Sequence, residues 1–294
     1  MTELGFLNIN KPLGMTSHDV VNWVRKHTNM KKVGHAGTLD PMATGVLVIC
    51  WGKATRLSQY VMGHSKTYIA ELTFGIETDT YDAEGKVVRE DSHVISRADV
   101  EGVLPLFRGE VLQRPPMFSA IKKDGKKLYE LARRGQEVEI EPRPVHIESL
   151  EIISWDFPRC LIKVTCSAGT YIRSLAYDIG KAVQVGAHLS ALTRTTIGNF
   201  FTLENAVSLE ELAKALEQGK WQSYLVSPRQ ALYDIPAIVV DDVQVQHLKQ
   251  GRFLRLSDEY PSLLQVYDSQ EHFIALIEKH PNYPHFWKPS KVFA

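Results

Sequence analysis

Cysteine is scarce in this chain, with three among 294 residues, Cys50, Cys160 and Cys166. An odd set without a CxxC pair argues against a disulfide framework, and each stands in an apolar, strand-like run, so reduced core residues are expected. None has an activating histidine or helix N-terminus beside it in sequence, as a catalytic thiol would need. Long apolar runs are missing too. No stretch reaches the roughly 20 residues of a bilayer span, and no basic leader runs into an apolar segment, so a cytoplasmic chain without membrane contact is expected. Net charge is also absent, because 34 Lys and Arg balance 34 Asp and Glu. The distribution is uneven, however. Lys11, Arg25, Lys26, Lys31, Lys32, Lys53 and Arg56 crowd the N-terminal part, residues 114–143 are basic, and acids gather between Glu77 and Glu101. Such a pattern fits a basic face that neutralises phosphates, and equally a solvated mixed-charge surface. No repeat or low-complexity tract is visible.

What the chain does have is a glycine-rich stretch at residues 34–45, GHAGTLDPMATG, running into the apolar Val46–Cys50. It lacks the GxGxxG order of a dinucleotide turn and the GxxxxGK[ST] order of a P-loop, so a nucleotide-phosphate cradle is not expected. Pro41 biases Asp40 toward extended backbone, and Gly34, Gly37 and Gly45 permit a tight loop at the end of a buried strand. Asp40 is therefore either a rigidly presented functional carboxylate or an ordinary Asp-Pro turn.

Around it, Leu4–Ile9 reads as a strand, and Thr16 with Asp19 has capping-box spacing for a helix from Ser17 to His27. Ser17-His18-Asp19 cannot be a catalytic triad, because consecutive helical residues diverge. Residues 66–74 alternate as a strand, with Tyr68, Ala70 and Leu72 on one side. The acidic 75–85 stretch reads as a solvated turn rather than a metal site at Asp79 and Asp82, and a second strand at 86–89 completes a hairpin. A helix is expected from Ser96 to Phe107, shortened or kinked by Pro105, then extended chain at 113–120 and a short basic helix at 128–134. Strands follow at 145–154 and 160–167, then a helix from Tyr171 to Gly180. Arg173 lies in its first turn, against the helix dipole, which predicts a carboxylate partner. Residues 187–192 read as a short helix, 193–201 as loop and strand, and 209–218 as an amphipathic helix. Ser227-Pro228 and Ile235-Pro236 punctuate the chain, so a boundary is placed near Leu232. The 44% hydrophobic content supports a large domain, 1–232, and a small one, 233–294. The small one has a helix at 243–249 and strands at 253–256, 263–268 and 273–278.

GHAGTLDP resembles the catalytic segment of the TruB family of tRNA pseudouridine synthases. GFLNINKPLGMTSHDVV, KTYIAELTFGIETDTYDAEG, RPPMFSAIKKDGKKLYELARRG and CSAGTYIRSLAYDIG resemble further segments of that family, in the same order. The resemblance implies an α+β fold with a mixed, largely antiparallel central sheet flanked by helices, and a PUA-like C-terminal β-domain. It implies isomerisation of uridine 55 in the T loop of tRNA, with no cofactor, no metal and no guide RNA, by a chain expected to act as a monomer. Asp40 would be the nucleophile, Arg173 its ion-pair partner and Tyr68 the ring stacked on the target base. Tyr171 and Leu192 would line the uridine pocket, and His35 would fill the space left by the flipped base. Lys11, Lys31 and Lys32 flank the active loop, while Lys122, Lys123, Lys126 and Lys127 stud the 114–143 lobe. All seven are candidates for backbone contacts. A non-catalytic RNA-binding module and a guide-dependent relative are the competing readings. Asp40, Tyr68 and Arg173 together disfavour the first, and the basic lobe without a long basic tail disfavours the second.

Overall fold

The computed structural model of the protein describes residues 4–119, 122–123, 125–128, 131 and 138–293. Its organising element is a ten-stranded sheet whose main path runs Leu225–Val226, Leu4–Lys11, Ala43–Gly52, Ala187–Ile197, Lys66–Phe74, Arg159–Cys166, Arg143–Asp156 and Gly109–Gln113. Every neighbour along that path is antiparallel except Ala187–Ile197 against Ala43–Gly52, which is parallel. The mixed, largely antiparallel sheet expected from the resemblance is what the chain forms.

Local sequence explains the central strands. Val46 to Cys50 have no exposed surface, as a continuous apolar run covered on both faces should. In Lys66–Phe74 burial alternates residue by residue, with Tyr68, Ala70 and Leu72 inward. The helix Ser17–Thr28 starts at the anticipated capping box, with Thr16 and Asp19 exchanging hydrogen bonds. Pro105 falls where the helix Arg97–Val103 gives way to a 3-10 turn, Leu104–Phe107.

One element differs outright. Residues 187–192 form part of the strand Ala187–Ile197, not a helix. Gly186, at φ 74°, turns the chain after the preceding helix, Ile172–Ala182. The following residues are then clamped between two strands, Leu192 facing Ala43 on one side and Ala70 on the other. Tertiary pairing at the sheet centre overrides a weak helical preference.

Toward the C-terminus a five-stranded sheet runs Ala237–Val239, Leu263–Tyr267, Phe273–Lys279, Phe286–Val292 and Leu254–Arg255. It is not isolated from the large sheet. Tyr267, Phe273, Leu276 and Phe293 share one apolar cluster with Phe6, Val46, Val48 and Leu232, so the residue chosen as the boundary is itself buried in the junction. Lys53 and Arg56 reinforce it by donating to the carbonyls of Phe293 and Val292 at 2.7 and 2.6 Å. In the basic lobe, Lys122–Lys123 and Lys126–Lys127 form a two-stranded hairpin. The helix expected at 128–134 lies largely outside the described residues. No helix among the described residues is long and apolar enough to cross a membrane.

Candidate active site

The loop from Ala36 to Ala43 is held at almost every peptide. Ala36 N–H donates to the Val48 carbonyl at 2.8 Å, and Ala43 N–H to that of Asp40 at 3.0 Å. Ser17, 2% exposed, bridges Leu39 from both sides: its hydroxyl donates to the Leu39 carbonyl at 3.0 Å and accepts from Leu39 N–H at 2.8 Å. Thus the serine that could not belong to a triad braces the residue next to Asp40. Gly14 N–H reaches the Pro41 carbonyl at 2.9 Å. At Gly45, φ 98°, a Cβ would lie 2.2 Å from the Arg194 carbonyl oxygen, so only glycine lets the strand start this close to its neighbour.

This scaffold presents Asp40 with 37% of its side chain exposed, against 7% for its partner Arg173. Arg173 Nε stands 3.0 Å from Asp40 Oδ2, the carboxylate contact predicted from the arginine's place at a helix N-terminus. Its Nη1 lies 3.3 Å from Asp82 Oδ2, and further N–H groups donate to the carbonyls of Thr80 at 3.3 Å and Phe118 at 2.9 Å. Asp82 therefore corrects the reading of the acidic turn. Asp79 is exposed, but Asp82 is 4% exposed, and its Oδ1 accepts from Thr80 Oγ1 at 2.6 Å and Glu84 N–H at 3.1 Å. Spacing gave no metal pattern, and nothing local distinguishes a carboxylate destined for burial from a solvated one. The arginine in the first turn of the helix Ile172–Ala182 was the available signal, and it admitted two carboxylates as readily as one.

Burial is the strongest influence on the Asp40 carboxyl and raises its pKa. Arg173 opposes that, Asp82 adds to it, and Lys11 opposes it. Lys11 is the second correction. It is fully buried, and its ammonium donates to the carbonyls of Pro12, Met15 and Pro41 at 2.9, 2.5 and 3.4 Å, which places it under the loop rather than on a phosphate-facing surface. Burial lowers its pKa to about 8, with Asp40 pulling the other way. Lys31 and Lys32 are exposed, as phosphate contacts require. The side chains of Lys122, Lys123, Lys126 and Lys127 lie outside the described structure.

Tyr68 is 7% exposed on the strand beside the loop, and burial raises its phenol pKa while the Arg194 charge acts in the opposite direction. The Asp40 charge reaches both Tyr68 and Tyr171. Tyr171 precedes the Arg173 helix, its N–H donating to Gln113 Oε1 at 2.7 Å and its carbonyl accepting from Gln113 Nε2 at 3.0 Å. A cavity of about 270 Å³ opens there, lined by Gln113, Arg143, Gly169 and Tyr171 among others. Leu192, 7% exposed, sits between the strand that follows the Asp40 loop and the Tyr68 strand. His35 ends the short strand Val33–His35 with a pKa lowered by burial and then by Arg194, which favours the uncharged ring, and its Nδ1 has no protein partner. The arrangement offers one accessible carboxylate fixed by a buried guanidinium, beside two phenols. It suits nucleophilic attack on an electrophilic carbon with proton transfer close by.

A family model for the N-terminal domain of TruB family pseudouridylate synthase matches residues 25–172, and one for the C-terminal domain of tRNA pseudouridylate synthase B matches 173–232. A tRNA pseudouridine synthase B of Bacillus thuringiensis is 42% identical, covering 98% of this chain and 96% of its own. One of Dehalococcoides mccartyi is 41% identical over the same shares. Among solved structures, a chain of an H/ACA RNP bound to a substrate RNA containing 2'-deoxyuridine superposes with a TM-score of 0.75 at 25% identity, covering 100% of this chain and 86% of that one. The pairing of Asp40 with Arg173 on a pseudouridine synthase fold and the likeness along nearly the whole chain point the same way: this chain belongs to the TruB family of pseudouridylate synthases.

Proposed function

We propose that the protein converts uridine 55 in the T loop of tRNA to pseudouridine, with Asp40 as nucleophile on a flipped-out nucleotide. The observation that carries this reading is Asp40 itself, partly open to solvent on a rigid loop, with Arg173 at 3.0 Å keeping its carboxylate oriented. The reaction breaks the glycosidic C–N bond, turns the uracil while it stays bound, and rejoins it through C5, whose proton must leave. No redox step or group donor enters, so a carboxylate and a proton-transfer group suffice, and the reading takes no cofactor. Tyr68 stacks on the base and moves the proton. Leu192 and Tyr171 shape the pocket, and the His35 ring fills the gap in the RNA stack after extrusion, which costs a few kcal/mol. Lys31, Lys32 and the 114–143 lobe hold the T-arm backbone, and the 233–294 unit adds an RNA-binding surface.

The chain works as a monomer without a guide RNA. The tRNA pseudouridine synthase B relatives at 41–42% identity align over 96% of their length, whereas the RNP chain stands at 25%. The test is incubation of the purified protein with an unmodified tRNA transcript, no other RNA added, and mapping of pseudouridine. Conversion at position 55 is expected. Conversion only elsewhere would overturn the assigned position, and conversion only on adding a guide would overturn the stand-alone reading.

A further inference from the structure

Tyr81 stands between the two residues of the acidic turn that meet Arg173. The Thr80 carbonyl before it accepts from Arg173 Nη1 at 3.3 Å, and the Asp82 carboxylate after it lies 3.3 Å from the same nitrogen. Tyr81 itself takes a left-handed backbone, φ 64°, which suits glycine, is tolerated by asparagine and is strained for a bulky side chain. Such strain persists only where the surroundings over-determine it. Here the backbone is tied on both sides. Tyr81 N–H donates to the Thr78 carbonyl at 3.2 Å, its own carbonyl accepts from Leu189 N–H at 3.0 Å, and Ala83 N–H donates to the Leu189 carbonyl at 3.0 Å.

The ring supplies a further hold. It stacks on the ring of Tyr177 with centroids 4.1 Å apart and planes inclined by 20°, and both residues are half-buried. Tyr177 follows Arg173 by four residues in the helix Ile172–Ala182, so the two side chains lie on one face, a turn apart. That helix face grips the acidic turn at two points, through the guanidinium and through the stacked rings. We propose that Tyr81 is a positioning residue for the isomerisation: its ring, seated on Tyr177, keeps the turn in the left-handed conformation that aims the Thr80 carbonyl and the Asp82 carboxylate at Arg173, and so fixes the guanidinium that orients Asp40. This rests on the role of Asp40 proposed above.

The test is single-turnover conversion by saturating Tyr81→Phe, Tyr81→Ala and Tyr81→Gly enzymes, with tRNA affinity measured alongside and Asp40→Asn run as a reference. Phenylalanine keeps the ring and should convert at the wild-type rate. Alanine loses the stack but keeps the cost of a left-handed φ, so the turn relaxes away from Arg173. Misplacement by an ångström costs about 10²-fold, so a loss of about 10- to 100-fold is expected for Tyr81→Ala, with affinity within about twofold. Glycine takes the left-handed conformation freely and should recover part of that loss. A ring that merely filled space would not give this order, since glycine fills less than alanine and is more flexible. A wild-type rate for Tyr81→Ala, a loss residing wholly in affinity, a Tyr81→Gly enzyme no faster than Tyr81→Ala, or a Tyr81→Phe enzyme as slow as Tyr81→Ala would overturn the proposal while Asp40→Asn stays inactive. A converting Asp40→Asn enzyme would overturn the nucleophile reading, and this proposal with it. If Tyr81→Ala does not fold, Tyr177→Ala decides from the helix side, where alanine is the best helix former: slower conversion at unchanged affinity supports the stack, and a wild-type rate overturns it.

Discussion

Replacing Asp82 with asparagine removes one buried charge from the Asp40–Arg173–Asp82 trio while keeping its shape. In the wild type Arg173 is 7% exposed and stands between Asp40 at 3.0 Å and Asp82 at 3.3 Å. A hydrogen bond to a charged group contributes about 1.5–3 kcal/mol. Stranding a buried charge costs about 3–5 kcal/mol, but that limit is not reached here because Asp40 remains. If the loss falls on the transition state, at about 1.4 kcal/mol per factor of ten, conversion slows by roughly 10- to 100-fold. Affinity for tRNA should hold, since Asp82 is too buried to touch RNA. The pH profile adds a signed test. Asp40 acts ionised, so the rate falls as pH drops through its raised pKa, and Asp82 is one of the groups raising it. Asp82→Asn should therefore move the acid limb of the single-turnover profile to lower pH, with the plateau reduced. A wild-type plateau, or an acid limb displaced upward, would refute the coupling.

Three other expectations follow from the same geometry. Tyr68→Phe keeps the ring but loses the hydroxyl, and at saturating enzyme it should fall about 10²–10⁴-fold, as loss of general acid–base help does; a near-normal rate would reduce Tyr68 to a stacking platform. Lys11→Met should lower the melting temperature, because the Pro12 and Met15 carbonyls lose their donor, at about 1–3 kcal/mol for one left buried and unpaired, while the Pro41 carbonyl keeps Gly14 N–H; it should leave the salt dependence of tRNA binding unchanged. Lys31→Ala with Lys32→Ala should instead flatten that log–log slope by about 0.7–0.9 for each phosphate no longer neutralised, and an unchanged slope would remove these lysines from the RNA interface.

Legibility in the sequence varied with the range of the interactions involved. Alternation in Lys66–Phe74 and the Thr16–Asp19 cap are local signals, and both elements form where expected. Arg173 was legible because a cation in the first turn of a helix demands a nearby anion, and Asp40 answers it. Residues 187–192 misled because their conformation is decided by neighbours far along the chain, at Ala43 and Ala70. Lys11 and Asp82 misled for a related reason. Charged side chains are read as solvated by default, and their burial depends on carbonyls and a guanidinium that only the fold brings to them. Ser17 shows the converse: helical geometry ruled out a triad but could not reveal that its hydroxyl grips Leu39.

The nucleophile is tested most directly by Asp40→Asn. The amide keeps nearly the same volume and cannot attack, and because burial makes the ionised acid unfavourable, the neutral side chain should fold at least as well at neutral pH. The sign follows from the raised pKa: the stabilising contribution of a protonated Asp40 is present below the unfolded value and lost as pH rises through the folded one. The measurement is single-turnover pseudouridine mapping at position 55 with saturating Asp40→Asn enzyme and tRNA affinity determined on the same preparation. The expected result is no conversion with affinity within a small factor of wild type, whereas conversion by a verified Asp40→Asn preparation would contradict the assignment.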